Sequence, residues 1–231
     1  MSGQTSGQIS DQPCCSAPVA ITNIAHGEGR TGVRALICLI LAIAAAGCTV
    51  LDKPQRAQVY DFGAVPADAS APATADALPP LALAAVDANQ ALDGLAVLYR
   101  LDYADPQQLR RYAQARWSAP PAELVRQRLR EILGRQRTVL DPGTAASPLL
   151  LRIDLDEFSQ QFASPQQSAG VIRLRATLLR LSATGAAPVA QRSLRIERPA
   201  ASPDARGGVQ ALAAATDAAA EQIAQWLISV R

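Results

Sequence analysis

The chain has 231 residues, with 22 Lys+Arg against 20 Asp+Glu and a net charge of +2. That length carries one domain, or two small ones, with a substantial core, and the balanced charge excludes a broad basic field directed at nucleic acid. Hydrophobic residues make up 49% and aromatic residues 4%, which excludes a disordered chain; a single continuously apolar stretch excludes a polytopic membrane protein.

Residues Met1 to Gly32 are polar, rich in Gly, Ser and Gln, and carry Cys14-Cys15. No hydrophobic period runs through them. A translation start near Val33 would give a more compact leader. The apolar run Ala35–Ala46 follows Arg30 and Arg34 and precedes Gly47-Cys48. It is too short to span a bilayer, which takes about 20 residues, and has the size of a signal-peptide core. The run of small residues ending in Cys resembles the lipobox of bacterial lipoproteins, with Ala45 where that pattern usually has Leu. The resemblance implies cleavage between Gly47 and Cys48 and a diacylglycerol thioether on Cys48, so that residues 1–47 are removed.

That reading also removes His26, Met1, Cys14, Cys15 and Cys38. From Cys48 onward there is no His and no thiol beyond Cys48 itself. Ser-His-Asp and Cys-His catalysis, His/Cys zinc sites and internal disulfides are excluded on composition. The single Lys, Lys53, falls in the expected tether, residues 48–57. Carboxylate-only hydrolysis stays open. No cofactor or metal is expected.

The domain is expected over 58–231. Gln58 to Gly63 reads as a short strand, with Tyr60 and Phe62 on one face and Val59 and Asp61 on the other. The Ala/Pro-rich stretch 64–80 reads as a loop. Leu81–Val86 and Leu95–Leu101 are strand candidates, with Asp93-Gly94 as a turn signal between them. Asp105–Arg116 reads as a helix: Asp105 as cap, Pro106 in the first turn, Leu109, Tyr112 and Ala113 on one face. A second helix follows, with Ser118 as cap, Pro120 and Pro121 in its first turn and Gly134 at its end. Its apolar stripe is Val125, Leu129, Ile132 and Leu133.

Asp141-Pro142-Gly143 is a turn. Leu149–Phe158, Gly170–Ser182 and Val189–Arg198 alternate as antiparallel strands with one solvated face, and Ser159–Ala169 reads as a polar hairpin loop. Asp204–Val230 keeps the helical period throughout. The expected fold is α/β or α+β: a mixed sheet of about five to six strands covered by two to three helices, in a single domain.

Several clusters have bland readings. Arg110-Arg111 to Arg137 reads as a solvated helix face, with contact to anionic headgroups as the alternative. Asp154, Asp156 and Glu157 read as the wet side of a strand, and Gly207-Gly208 as a loop before the last helix. Trp117 is expected to wedge a junction between two helices, with Arg100 and Arg116 flanking or stacking on the rings.

The ordered set Tyr99-Arg100, Tyr112, Arg116-Trp117, Pro120-Pro121, after a lipobox and Tyr60-Asp61-Phe62-Gly63, resembles the ABC-type transport auxiliary lipoprotein family. These are periplasmic partner lipoproteins of MCE-domain lipid transport systems. The resemblance implies a non-enzymatic accessory subunit whose partners are an MCE-domain protein and an ABC permease/ATPase complex. It also implies a lipid anchor, contact with lipid and a motif surface meeting a partner. Thr49, standing where Asp would favour inner-membrane retention, points to the outer membrane with the domain facing the periplasm; an inner-membrane anchor stays open. The alternatives are a generic envelope-assembly lipoprotein and a carboxylate-only hydrolase.

Overall fold

The computed structural model describes residues 56–64, 78–143 and 147–230. The leader, Cys48, most of the tether and the body of the Ala/Pro-rich loop lie outside the described residues. In chain order the elements are β1 (Gln58–Tyr60), β2 (Leu78–Ala88), β3 (Ala96–Leu101), β4 (Asp105–Trp117), α1 (Pro121–Leu133), β5 (Arg137–Leu140), β6 (Leu149–Ser164), β7 (Gln167–Ser182), β8 (Gly185–Pro199) and α2 (Ala205–Ser229).

Strand β6 organises the mixed sheet. One edge of it pairs antiparallel with β7 from Leu149↔Arg180 to Ser164↔Gln167. The other edge is shared. Its first half pairs parallel with β2, from Ala82↔Leu150 to Ala88↔Leu155; its second half pairs parallel with β3, from Tyr99↔Gln160 to Leu101↔Phe162. Beyond β2 lies β5, parallel to it. Beyond β3 lie antiparallel β4 and then parallel β1. Strand β8 runs antiparallel outside β7.

The alternation of β6 and β7 explains the core. Leu151, Ile153, Leu155, Ile172, Leu174, Ala176 and Leu178 turn one face inward and are buried. Helix α2 lies across this face against β6, β7, β8 and α1, and α1 packs on β2 and β5. The Ala-rich face of α2 lets it approach closely: a Cβ on Gly170 would stand 2.5 Å from the Ala211 carbonyl carbon, so glycine is required beneath the helix.

The α/β class and the single mixed sheet agree with the expectation, but eight strands form among the described residues rather than five to six, and two helices cover them. The main difference is Asp105–Arg116, which is not a helix but part of β4. Its Gln, Arg and Ala residues are good helix formers, but intrinsic preference is small beside tertiary context, and pairing with β3 across the Asp102–Ala104 turn overrides it. Two irregularities in the β3–β4 register break the alternation that would have marked a strand.

Segment Ser159–Ala169 is not a polar loop. Strand β6 runs on to Ser164, Pro165-Gln166 make the turn, and β7 starts at Gln167. Ser159 and Gln160 are fully buried. Residues Leu78–Pro80, expected in the loop, begin β2. The segment around Asp93-Gly94 does not reverse the chain, because β2 and β3 both run parallel to β6; Asn89 caps a 3-10 turn there instead. Ser118 does not cap α1, which starts after Pro120 with no side-chain cap. Arg110 and Arg111 lie on β4, and Arg137 is buried on β5, so they form no helix face.

Candidate functional site

The aromatic motif residues fall into two joints on the helix-covered side of the sheet, while Arg100 and Arg116 belong to neither. Trp117 ends β4 and is 1% exposed. Its backbone N–H donates to Leu95 O at 2.7 Å, and the next N–H, of Ser118, donates to Tyr60 O at 2.7 Å. The strand end is thus held between β3 and β1. Trp117 therefore wedges a strand-to-helix junction, not one between two helices, and Pro120-Pro121 release the chain from β4 into α1.

The indole packs edge-on to Phe62 (centroids 5.7 Å, 90°) and tilted against Phe158 (5.6 Å), an arrangement that suits the ring quadrupoles. Phe62 is positioned by an Asx turn in which Gly63 N–H donates to Asp61 Oδ1 at 2.8 Å. Gly63 has φ +64°, which a residue with a Cβ would adopt only under strain. The turn presents both the Phe62 and Gly63 carbonyls to Arg128 of α1, whose Nη2 donates to them at 2.8 and 2.9 Å. The Arg128 guanidinium also lies 5.7 Å from the Phe62 ring centroid.

Arg128 is 2% exposed. Its Nε lies 3.4 Å from Asp217 of α2 and 3.8 Å from Glu131. One side chain therefore ties the segment after β1 to both helices. Burial pushes the Asp217 carboxyl above its ordinary range, and Arg128 opposes this only in part. A cavity of about 400 Å³ opens beside this joint, lined by Asp61, Phe62, Arg128 and Glu131 among others.

The second joint holds Tyr99 of β3 and Tyr112 of β4. Their rings lie 4.6 Å apart, and Tyr99 also meets Phe162 edge-on at 6.0 Å. Tyr112 OH donates to Gln160 Oε1 at 2.8 Å, and Gln160 Nε2 donates to Ser168 Oγ at 2.8 Å. A Cβ on Gly208 would fall 2.0 Å from Gln160 Oε1. The first turn of α2 is therefore seated on this network, and Gly207-Gly208 belong to the helix rather than to a loop. Burial raises the Tyr112 hydroxyl, reinforced by Tyr99 and Asp204, so it stays a protonated donor.

Arg100 turns to the opposite side of the sheet. It reaches Glu157 at 3.4 Å and the carbonyls of Pro106 and Gln107 at 3.3 and 3.4 Å. Arg116 is exposed. Neither stacks on a ring; among the described residues the cation–π contact is that of Arg128 on Phe62. Asp156 sits at a β6 register shift, 40% exposed and 3.8 Å from Arg173, so Asp154 and Asp156 form no closed carboxylate pair. Among the described residues, no group of three or more His, Cys, Asp or Glu could hold a metal.

Sequence reasoning reached Tyr99, Tyr112 and Trp117 and missed Arg128, Gln160 and Asp217. For Gln160 the available signal was the strand alternation of Phe158, Gln160 and Phe162. Arg128 carried none, because it is one of several arginines on an amphipathic helix.

Fold and joints define the class: a mixed-sheet domain whose motif aromatics, with Arg128, serve as internal joinery between the N-terminal strand, the sheet and two helices. The chain belongs to the ABC-type transport auxiliary lipoprotein component family, whose model matches residues 60–224. A lipoprotein family of that description places it among membrane-anchored envelope proteins associated with ABC transport. The fold is similar to the crystal structure of a Xanthomonas campestris protein of the DUF330 family: 23% identity, TM-score 0.60, covering 69% of this chain and 89% of that one. It is also similar to that of an uncharacterised protein at 15% identity and TM-score 0.56, covering 74% and 99%. No curated protein matches the sequence.

Proposed function

We propose that the chain is a lipid-anchored periplasmic accessory subunit of an MCE-type ABC transport system. In this reading it assists the movement of lipid or another hydrophobic substrate between the inner and outer membranes. The observation that carries it is the family match over residues 60–224, which spans both joints. Cys48 is the acylated N-terminus after cleavage behind Gly47, residues 48–57 are the tether, and Thr49 directs the anchor to the outer membrane. The role is docking and bridging rather than catalysis. It fits a fold in which Trp117 and Arg128 fasten the segment after the tether to the body of the domain.

The test is cross-linking and affinity purification of the mature lipoprotein from envelope membranes. Co-purification of an MCE-domain protein with its permease and ATPase is expected; their absence from a chain shown to be acylated would overturn the reading. Metabolic labelling with an alkyne fatty acid checks the anchor, with Cys48→Ser expected to abolish the label. Separation of inner and outer membranes locates it.

A further inference from the structure

Strand β8 carries the longest continuous open edge of the sheet. Among the described residues it pairs only with β7. The edges of β1 and β5 are short, and β4 is interrupted by register shifts. From Ala190 to Pro199 the β7–β8 pairing runs without interruption, an edge of roughly 33 Å at the usual rise per residue. Every second residue of such an edge turns its N–H and C=O outward, a ready template for another strand.

The edge also has a chemical sidedness. Leu194 and Ile196 are buried beneath α2, so Arg192 and Arg198, two residues to either side, project on the same helix-covered face. There they border a cavity of about 420 Å³ whose other wall is α2, at Glu221, Gln222 and Gln225. Among the described residues neither arginine has a carboxylate partner; Arg198 donates only to the neighbouring Glu197 carbonyl, at 3.3 Å. Arg195, on the opposite face, is already engaged by Glu197 and Gln161. An open strand edge beside a helix-walled groove, with an unpaired arginine near each end, suits an incoming strand whose groove-facing side chains are acidic.

We propose that the β8 edge and the adjoining α2 groove dock an extended acidic segment of a partner protein by strand addition, with Arg192 and Arg198 receiving its carboxylates. This rests on the reading of the chain as an accessory subunit and names the chemistry of the partner it meets.

The test uses the full chain in detergent and a synthetic peptide of roughly ten residues alternating Glu and Thr, the length of one strand. The readouts are peptide anisotropy and amide hydrogen exchange. Expected are slowed exchange confined to β8 and weakening of about tenfold or more in the double variant Arg192→Glu, Arg198→Glu. A peptide N-methylated at alternate amides, which cannot pair, should not bind; that control uses the unmodified protein and does not depend on the variant folding. Four results would overturn the proposal: no slowing of exchange at the outward-facing β8 amides; equal binding of the peptide with Lys in place of Glu; outward-facing β8 amides already slow in the free chain, through its own segments or a second copy; or protection by phosphatidylglycerol vesicles but not by peptide. The readout reports on the edge alone, so failure to co-purify transporter subunits would overturn the functional reading separately.

Discussion

Tyr112 Oη and Gln160 Oε1 lie 2.8 Å apart, joining a β4 residue to a fully buried amide on β6 directly beneath the first turn of α2. The same amide donates to Ser168, so Gln160 uses both ends of its side chain. Tyr112→Phe keeps the ring packing against Tyr99 and removes the donor, leaving a buried acceptor unpaired at a cost of about 1–3 kcal/mol. The midpoint of urea unfolding should fall with an unchanged slope. Gln160→Ala should cost more, because it opens a cavity as well.

Two glycines set how closely α2 approaches the sheet. Gly170→Ala brings a methyl to 2.5 Å from helix backbone at Ala211 and Leu212, where no side chain can rotate away. A loss of about 1–3 kcal/mol is expected from overpacking. Gly94→Ala is the control, since nothing lies within 4 Å of its Cβ position; its melting temperature should hold or rise slightly. Equal effects at the two positions would contradict the close helix–sheet packing.

Arg128 fastens the Asp61-Phe62-Gly63 turn to α1 and α2. Arg128→Met leaves two carbonyls and the Asp217 carboxylate without their cation; Asp217 keeps partial contact with water, so a loss of about 1–3 kcal/mol is expected. Arg128→Lys should recover only part of this, since one ammonium cannot reproduce the guanidinium's planar set of donors. Proteolysis at the segment after β1 should accelerate in both variants before global unfolding does.

Two carboxylates on the α2 segment act in opposite directions with pH. Asp217 is held above its ordinary 3.8 by burial, so the native state binds its proton more tightly than the unfolded chain. Its contribution falls as pH rises from 3.8 through the raised folded value and is then constant. Asp204 caps the helix by accepting from Gly207 N–H at 2.8 Å, and that bond, with Ser202 assisting, lowers its value. Its contribution is present above 3.8 and lost as pH falls through the lowered folded value. Urea unfolding across the acid range should show the stability gap between the unmodified chain and Asp204→Ala closing toward low pH. Against Asp217→Asn, the unmodified chain should instead lose relative stability as pH rises.

Much of the fold was legible because it rests on local periodicity. The alternation of Leu149–Phe158 and Gly170–Ser182 marked β6 and β7, and the stripe through Val125, Leu129 and Ile132 marked α1 with Gly134 at its end. The long period from Val209 to Leu227 marked α2. Strand β4 was not legible: Asp105-Pro106 imitates a helix start, Leu109, Tyr112 and Ala113 imitate a helical face, and its register shifts erase the alternation. At Gln160 the alternation with Phe158 and Phe162 was present but outweighed by composition. A polar residue in a Ser/Gln-rich stretch reads as loop until its hydrogen-bond partners, 48 residues back and 8 residues on, are brought beside it.

By itself the sequence determined a single mixed sheet covered by helices, α/β or α+β, the resemblance carried by Tyr99, Tyr112 and Trp117, and the absence of any His after His26. These follow from composition and short-range order. Tertiary structure alone decided that β2 and β3 share one edge of β6, that Arg128 and Gln160 are the buried fastenings, and that, among the described residues, β8 keeps an open edge beside α2. Each depends on which distant backbone reaches a given strand. Pairing across tens of residues is settled by the packing of the whole sheet, not by local preference.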